Sequence, residues 1–269
     1  MSTTQLSMPA FEAVCDFFFK TSGIRLSAAK HGLVAGRLQR LAHEAGRSGL
    51  DDYVQWLLHG GAPAAEHTRV IDRLTTNETY FFREPQHFEA LTRHLKAAPP
   101  AGEFTVWSAA SSSGEEAYSI AMLLDDALGA RPWSVVGTDL STAVVQAARR
   151  GLYAMDRIEG IPPQWLRRYC LKGGGEYEGR MLIQRALRAR VRFECANLMQ
   201  ELPASLPTFD VVFLRNVLIY FDNPAKAAIV RRVLTRLKPG GQLYTGHAES
   251  LAALDLPLRP LAPAIYALA

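Results

Sequence analysis

From Phe104 to the end of the chain, short apolar runs alternate with amphipathic stretches, and this alternation limits the fold more than any other feature. Strands are predicted at Phe104–Ser108, Ser134–Asp139, Val191–Cys195, Phe209–Leu214, Gln242–Gly246 and Pro263–Leu268. Helices are predicted at Glu115–Leu128, Thr142–Arg150 and Pro224–Leu237. Such an order points to a doubly wound parallel sheet. The Glu115 helix is the clearest, with Ala117, Ile120, Ala121, Leu124 and Leu128 on one face. The alternation breaks at about 160–192. There a short helix at Pro163–Tyr169 precedes Gly173-Gly174-Gly175, and the triple glycine between extended runs predicts a hairpin in a small β insertion.

Ahead of this lies a different pattern. Residues 8–100 read as helical, with Val34, Leu38, Leu41 and Ala45 forming an apolar stripe. Further helices are predicted at Asp51–His59 and Ala64–Thr75, and the break at 97–102 marks the start of the α/β part. Residues 20–50 hold six Lys/Arg against the single acid Glu44. On a continuous helix Lys30, Arg37, Arg40 and Arg47 fall on one side. Two readings fit: a solvated charged face, or a docking face for an acidic helix bundle.

Composition removes several classes. No stretch is long and apolar enough for a membrane span, and the first residues lack a basic segment followed by an apolar core. Cys15, Cys170 and Cys195 are too scattered for a metal site and read as reduced thiols of a cytosolic protein; no metal is expected.

Chemistry concentrates at predicted strand ends, where open α/β sheets bind ligands. After Phe104–Ser108 come small residues, then a helix that opens with Glu115 and Glu116. Small side chains let a ligand approach the backbone. Two carboxylates disfavour a phosphate and favour a cation, so the loop suits a cationic nucleoside such as S-adenosylmethionine. Asp139 ends the next strand, where it could accept both ribose hydroxyls or cap the following helix. Asn197 follows the third strand, where its amide could read an adenine edge. Arg215, Asn216 and Tyr220 follow the fourth; Arg and Asn there either serve a ligand or bond loop carbonyls. Outside the sheet, Thr75–Glu84 mixes polar residues, three consecutive aromatics and Arg83, which a nearby anion would stabilise.

Four segments occur in order: Thr-Asn-Glu-Thr-Tyr-Phe-Phe-Arg (76–83), Ser-Ser-Gly-Glu-Glu-Ala-Tyr-Ser-Ile-Ala-Met (112–122), Arg-Asn-Val-Leu-Ile-Tyr-Phe (215–221) and Gly-His-Ala-Glu-Ser-Leu (246–251). Together they resemble the chemotaxis receptor methyltransferase family, CheR, over nearly the whole chain. The resemblance implies an α/β protein: a small all-α N-terminal domain (1–75), a linker and helix contributing to the cofactor site (76–100), and a class I, Rossmann-like methyltransferase domain (101–269) with a three-stranded antiparallel insertion. It implies transfer of a methyl group from S-adenosylmethionine to glutamate side chains of chemoreceptors. The products are glutamate methyl esters and S-adenosylhomocysteine.

By match to the family pattern, Asn77, Thr79, Arg83, Glu116, Asp139, Asn197, Leu198, Arg215 and Asn216 line the cofactor pocket, and Arg83 and Tyr220 serve catalysis. Departures at Ala110, Ser111, Cys170 and Leu214 remove no charged or donor group. A glutamate is ionised at neutral pH, so no general base is required. The expected partners are acidic receptor helices at the basic face, and a receptor C-terminal peptide at the Gly173–Gly175 insertion. An RNA substrate is disfavoured because the Asn/Asp-Pro-Pro-Tyr signature is absent. Intact Arg83, Glu116, Asp139, Asn216 and Tyr220 argue against a non-catalytic module.

Overall fold

In the computed structural model, which describes residues 5–269, the chain divides into two units. One takes in the chain up to Thr76 together with Tyr220–Ala225; the other is Asn77–Ile219 with Lys226–Ala269.

The first unit holds α1 (Met8–Ser22), α2 (His31–Glu44), α3 (Leu50–His59) and α4 (Ala64–Leu74). The Ser7 hydroxyl accepts from the Ala10 N–H to open α1, Pro9 sits in its first turn, and Gly23 closes it in the left-handed region. Phe11, Phe18, Val34, Leu38, Tyr53 and Val70 form its interior. The basic residues do not share one helix. Lys30 lies in a 3-10 turn before α2 and Arg47 lies beyond its end, because the helix stops at Glu44 ahead of Gly46 at φ 65°. Arg37 donates to the Leu74 and Thr75 carbonyls, Arg40 pairs with Glu44, and Arg47 stacks on Trp56.

The second unit runs α5 (Pro85–Ala97), β1 (Phe104–Ala109), α6 (Glu115–Leu128), β2 (Trp133–Asp139), α7 (Thr142–Arg150), β3 (Leu152–Ala154), α8 (Pro163–Tyr169), β4 (Cys170–Lys172), β5 (Arg180–Ile183), α9 (Arg185–Arg188), β6 (Val191–Cys195) and β7 (Phe209–Leu214). Then follow α10 (Asn223–Leu234), which belongs to this unit from Lys226 onward, β8 (Leu237–Thr245), β9 (Leu258–Ala262) and β10 (Ile265–Leu268). The large sheet has the order β6-β2-β1-β7-β8-β10-β9. Its first five strands are parallel, and β10 pairs antiparallel with β8 on one side and β9 on the other. Helix α6 packs on β1 and β2, and α7 on β6 and β2. Trp107 anchors the interior: it stacks on Phe209 and donates its indole N–H to Thr138 Oγ1 at 3.0 Å. Strand order turns outward in both directions from between β1 and β7, so the switch point lies where those two strands end.

The insertion is a three-stranded antiparallel sheet of order β3-β5-β4. Antiparallel β4 and β5 are the expected hairpin. The insertion begins earlier than 160, however, because β3 at Leu152–Ala154 is its outer strand. Three residues directly after a helix carry too short a pattern to read. Strand β9 also lay hidden: Pro260 interrupts its run, which an outer strand tolerates. Helix α10 stops three residues before the expected Leu237, which instead starts β8.

Candidate functional site

Five of the six non-glycine residues with positive φ among the described residues lie in three loops: Phe82 and Glu84, Ala110 and Ser112, and Asn216. Strained backbone of this kind persists only where its surroundings over-determine it, and it gathers at functional sites. Two of these loops follow β1 and β7, at the switch point.

Arg215 joins them. Its side chain is 1 % exposed. It donates to Glu116 Oε2 at 2.9 Å, to Glu84 Oε2 at 3.0 Å and to the Arg83 carbonyl. Glu116 also accepts from Ser108 Oγ at 2.7 Å, and its side chain is 14 % exposed. Burial raises the Glu116 carboxyl above the usual carboxylate range, against the pull of Arg215. Burial acts on Glu84 too, yet hydrogen bonds from Asn216 and Arg215 hold its carboxyl below that range. Arg215 is therefore a buried hub whose charge two acids compensate.

Segment 77–84 is pinned along its backbone. Ser112 Oγ donates to the Asn77 carbonyl, Arg157 to the Thr79 carbonyl at 2.8 Å, and the Phe82 N–H to Ser119 Oγ at 3.0 Å. The Arg83 guanidinium donates to the Glu78 carbonyl and lies 5.6 Å from the Tyr80 ring centroid. Gly160 presses against the same segment, and a Cβ there would stand 2.0 Å from the Phe81 carbonyl oxygen.

Asp139 ends β2, buried. Its two oxygens accept the backbone N–H groups of Ser112 at 2.8 Å and Ser141 at 3.0 Å, tying the β1 loop to the start of α7. Ser141, not Asp139, caps that helix, through its hydroxyl and the Val144 N–H. The Asp139 carbonyl accepts from the Ala196 N–H, which brings the Asn197–Leu198 turn alongside. Asn197 accepts the Met199 N–H, and Leu198 is buried. Tyr220 ends a 3-10 turn and groups with the helical unit.

Two local expectations change. Glu115 is fully buried, salt-bridged to Arg157 and bonded to Ser113, so it offers no carboxylate to a ligand. Gly114, at φ 97°, is small for packing: a Cβ there would meet Ala148, Tyr153 and Phe193 at 2.9 to 3.1 Å.

Sequence reasoning missed three members of the site. Glu84 bonds both Arg215 and Asn216; Glu249 bonds the Asn216 backbone; His87 is fully buried 3.3 Å from Glu84. Burial, with Arg215 nearby, pushes His87 down to about 4, so it is neutral. Glu84, His87 and His247 offer a donor set that could hold a metal ion. The Glu84 oxygen that faces both imidazoles already accepts from Arg215, so a fixed positive charge occupies the approach. For a cationic nucleoside the fit is better. Glu116 and Asp139 stand at the carboxyl ends of β1 and β2, below strained loops, and buried Ser111 Oγ and Arg215 Nε have no partner.

A concavity of about 720 Å³ lies at the insertion, with Arg150, Leu171, Lys172, Gly173, Gly174 and Tyr177 among its lining. Strand β4, like β3, is an outer strand there, and Leu171 is exposed.

The family pattern described as CheR methyltransferase, all-alpha domain, matches residues 9–75, and that described as CheR methyltransferase, SAM binding domain, matches 77–262. The chain is 39 % identical to the chemotaxis protein methyltransferase of Salmonella typhimurium strain LT2, over 98 % of this chain and 91 % of that protein. It is 37 % identical to the protein of the same description from Escherichia coli K12, over 98 % and 92 %. It is 40 % identical to chemotaxis protein methyltransferase 1 of Pseudomonas aeruginosa PAO1, over 90 % of each.

Proposed function

This chain belongs to the CheR methyltransferase family, and from that premise we propose how its residues carry the reaction. It is an S-adenosylmethionine-dependent chemotaxis protein methyltransferase that esterifies glutamate side chains of chemoreceptors. The bound cofactor supplies a methyl group on a sulfonium, which an ionised carboxylate can take directly. The protein must therefore align and desolvate a carboxylate instead of moving a proton.

In this reading Asp139 accepts the ribose hydroxyls, Glu116 the ammonium end, and Asn197 with Leu198 flanks the adenine. Asn77 and Thr79 line the cleft with the strained 77–84 segment. Arg83, whose guanidinium donates to the Glu78 carbonyl, orients the substrate carboxylate. Tyr220 donates a hydrogen bond near the reacting oxygen. Arg215 and Asn216 hold the wall against which the cofactor lies. The observation that carries this reading is the Arg215 hub, which locks three strained loops together at the switch point.

Acidic receptor helices would approach the basic surface of the helical unit, with Lys30 and Arg40 among its exposed cations. A receptor C-terminal peptide would add a strand to β4, with its acids beside Arg150 and Lys172. These partners place the enzyme in the cytoplasm, with no metal, nucleic acid or membrane insertion involved. Incubation with methyl-labelled cofactor and chemoreceptor membranes should transfer label that base releases as methanol. Base-stable label, or label on RNA alone, would overturn the reading. Calorimetry that finds no heat with a receptor C-terminal peptide would leave direct docking only.

A further inference from the structure

Glu249 belongs to the last of the four sequence motifs, yet no role follows from the chemistry above. Its side chain is buried, the residue being 4 % exposed. Oε2 accepts the backbone N–H of Asn216 at 2.7 Å and of Gly246 at 2.6 Å. Oε1 accepts that of Leu218 at 2.6 Å and of Ile219 at 3.3 Å. Four main-chain donors thus compensate one desolvated carboxylate, which forms no ion pair among the described residues. Thr245 Oγ1 donates to the Glu249 carbonyl and holds its backbone. The fit is close: a Cβ on Gly246 would stand 2.7 Å from Glu249 Oε2 and 2.8 Å from Asn216 Nδ2.

Asn216 has φ 57°, a left-handed conformation that asparagine reaches more readily than other residues with a Cβ but that still costs free energy unless its surroundings hold it. Two carboxylates hold it. Glu84 Oε1 accepts from the Asn216 side-chain amide at 3.1 Å, and Glu249 accepts from its main chain. We propose that Glu249 is a positioning residue for methyl transfer. It fixes the main chain of Asn216–Ile219 in the strained conformation that aims the Asn216 side chain at the cofactor. This rests on the reading of Asn216 as a cofactor contact. The carboxylate is specific to the task. Glutamine would set an N–H₂ group against one pair of N–H donors, and aspartate is one methylene too short to span both pairs.

The test uses the full chain and two readouts. Hydrogen exchange of the unliganded protein reports the clamp; calorimetry with S-adenosylhomocysteine reports its consequence. In Glu249→Gln the amides of Asn216, Leu218 and Gly246 should lose protection while β1 and β7 keep theirs. Affinity for S-adenosylhomocysteine should fall on the order of tenfold to a hundredfold. In an Asn216→Ala background the same change should add little, because the effect runs through Asn216. If Glu249→Gln does not fold, Glu249→Asp, which keeps the charge, should show a smaller loss of the same kind. Unchanged protection at the three amides would remove the clamp. Lost protection with full affinity, while Asn216→Ala binds weakly, would make Glu249 purely structural and overturn the positioning role. Full affinity in Asn216→Ala would instead reject the cofactor reading of Asn216 and the positioning role with it, with the exchange data still deciding the clamp.

Discussion

Arg215 makes its three hydrogen bonds with a guanidinium that water barely reaches, so its worth lies in what its loss would strand. Removing one partner of a buried ion pair leaves an uncompensated charge, at a cost of about 3–5 kcal/mol. Arg215→Met should cost that much in urea unfolding, and Arg215→Lys should recover only part, since an ammonium cannot fork between Glu84 and Glu116. A loss below about 1 kcal/mol would mean that the two carboxylates rehydrate or protonate freely. His87, beside Glu84, gives a pH signature. Its folded pKa of about 4 lies below the ordinary histidine value, so the unfolded chain binds more protons between the two. Stability from His87 is therefore complete above about pH 6.5 and is lost as pH falls toward 4. Glu115 and Glu116, shifted upward, act in the opposite sense, so the comparison must be differential. Between pH 7 and 4.5 the stability of His87→Leu should decline less steeply than that of the parent; parallel curves would show that His87 titrates normally.

At the scale of elements, the site is assembled by loops pressed against each other, and Gly160 is the tightest point. Its missing Cβ would sit 2.0 Å from the Phe81 carbonyl oxygen, a backbone atom that cannot swing aside. Gly160→Ala should push segment 77–84 outward, weaken S-adenosylhomocysteine binding by at least about tenfold and cost about 1–3 kcal/mol in stability. Calorimetry and thermal unfolding check both, and unchanged affinity would show that the segment can shift without harm to the site. The same elements show what a sequence can and cannot reveal. Strands β6 and β7 and helices α6 and α7 were legible to the residue, because each couples a periodic apolar pattern to a clear stop such as Gly129 or Gly151. Strands β3 and β9 were not: one is too short for a period, and the other contains a proline and faces solvent. The motifs announced Arg83, Glu116, Arg215 and Asn216, which the fold links through hydrogen bonds or through the Arg83 carbonyl. Glu84 and Glu249 stayed hidden because their partners are 33 to 132 residues away in sequence or are backbone groups, and His87 because the ring it faces belongs to His247, still farther along the chain. Periodicity carries no record of such pairings.

For the whole molecule, the question is how charge serves encounter with an acidic receptor. The excess of cations at 20–50 survives folding only in part. Arg37 is committed to the Leu74 and Thr75 carbonyls at the end of α4, and Arg47 to the face of Trp56 with Asp52 nearby. Lys30 is exposed, and Arg40 is exposed though tethered to Glu44. Steering depends on exposed charge and weakens with ionic strength, whereas a buried hydrogen bond does not. The four residues should therefore separate into two classes. Lys30→Glu should slow receptor methylation at low salt, the deficit should shrink as salt approaches physiological strength, and the unfolding temperature should stay unchanged. Arg37→Gln should lower the unfolding temperature of the helical unit, since it removes a donor that satisfies two carbonyls, and any loss of activity should not depend on salt. Initial rates with receptor membranes across a salt series, together with thermal scans, distinguish the classes. Equal salt dependence for both variants would mean that Arg37 also acts as a steering charge, and a Lys30→Glu enzyme that matches the parent at every ionic strength would leave the basic surface as a solvated face.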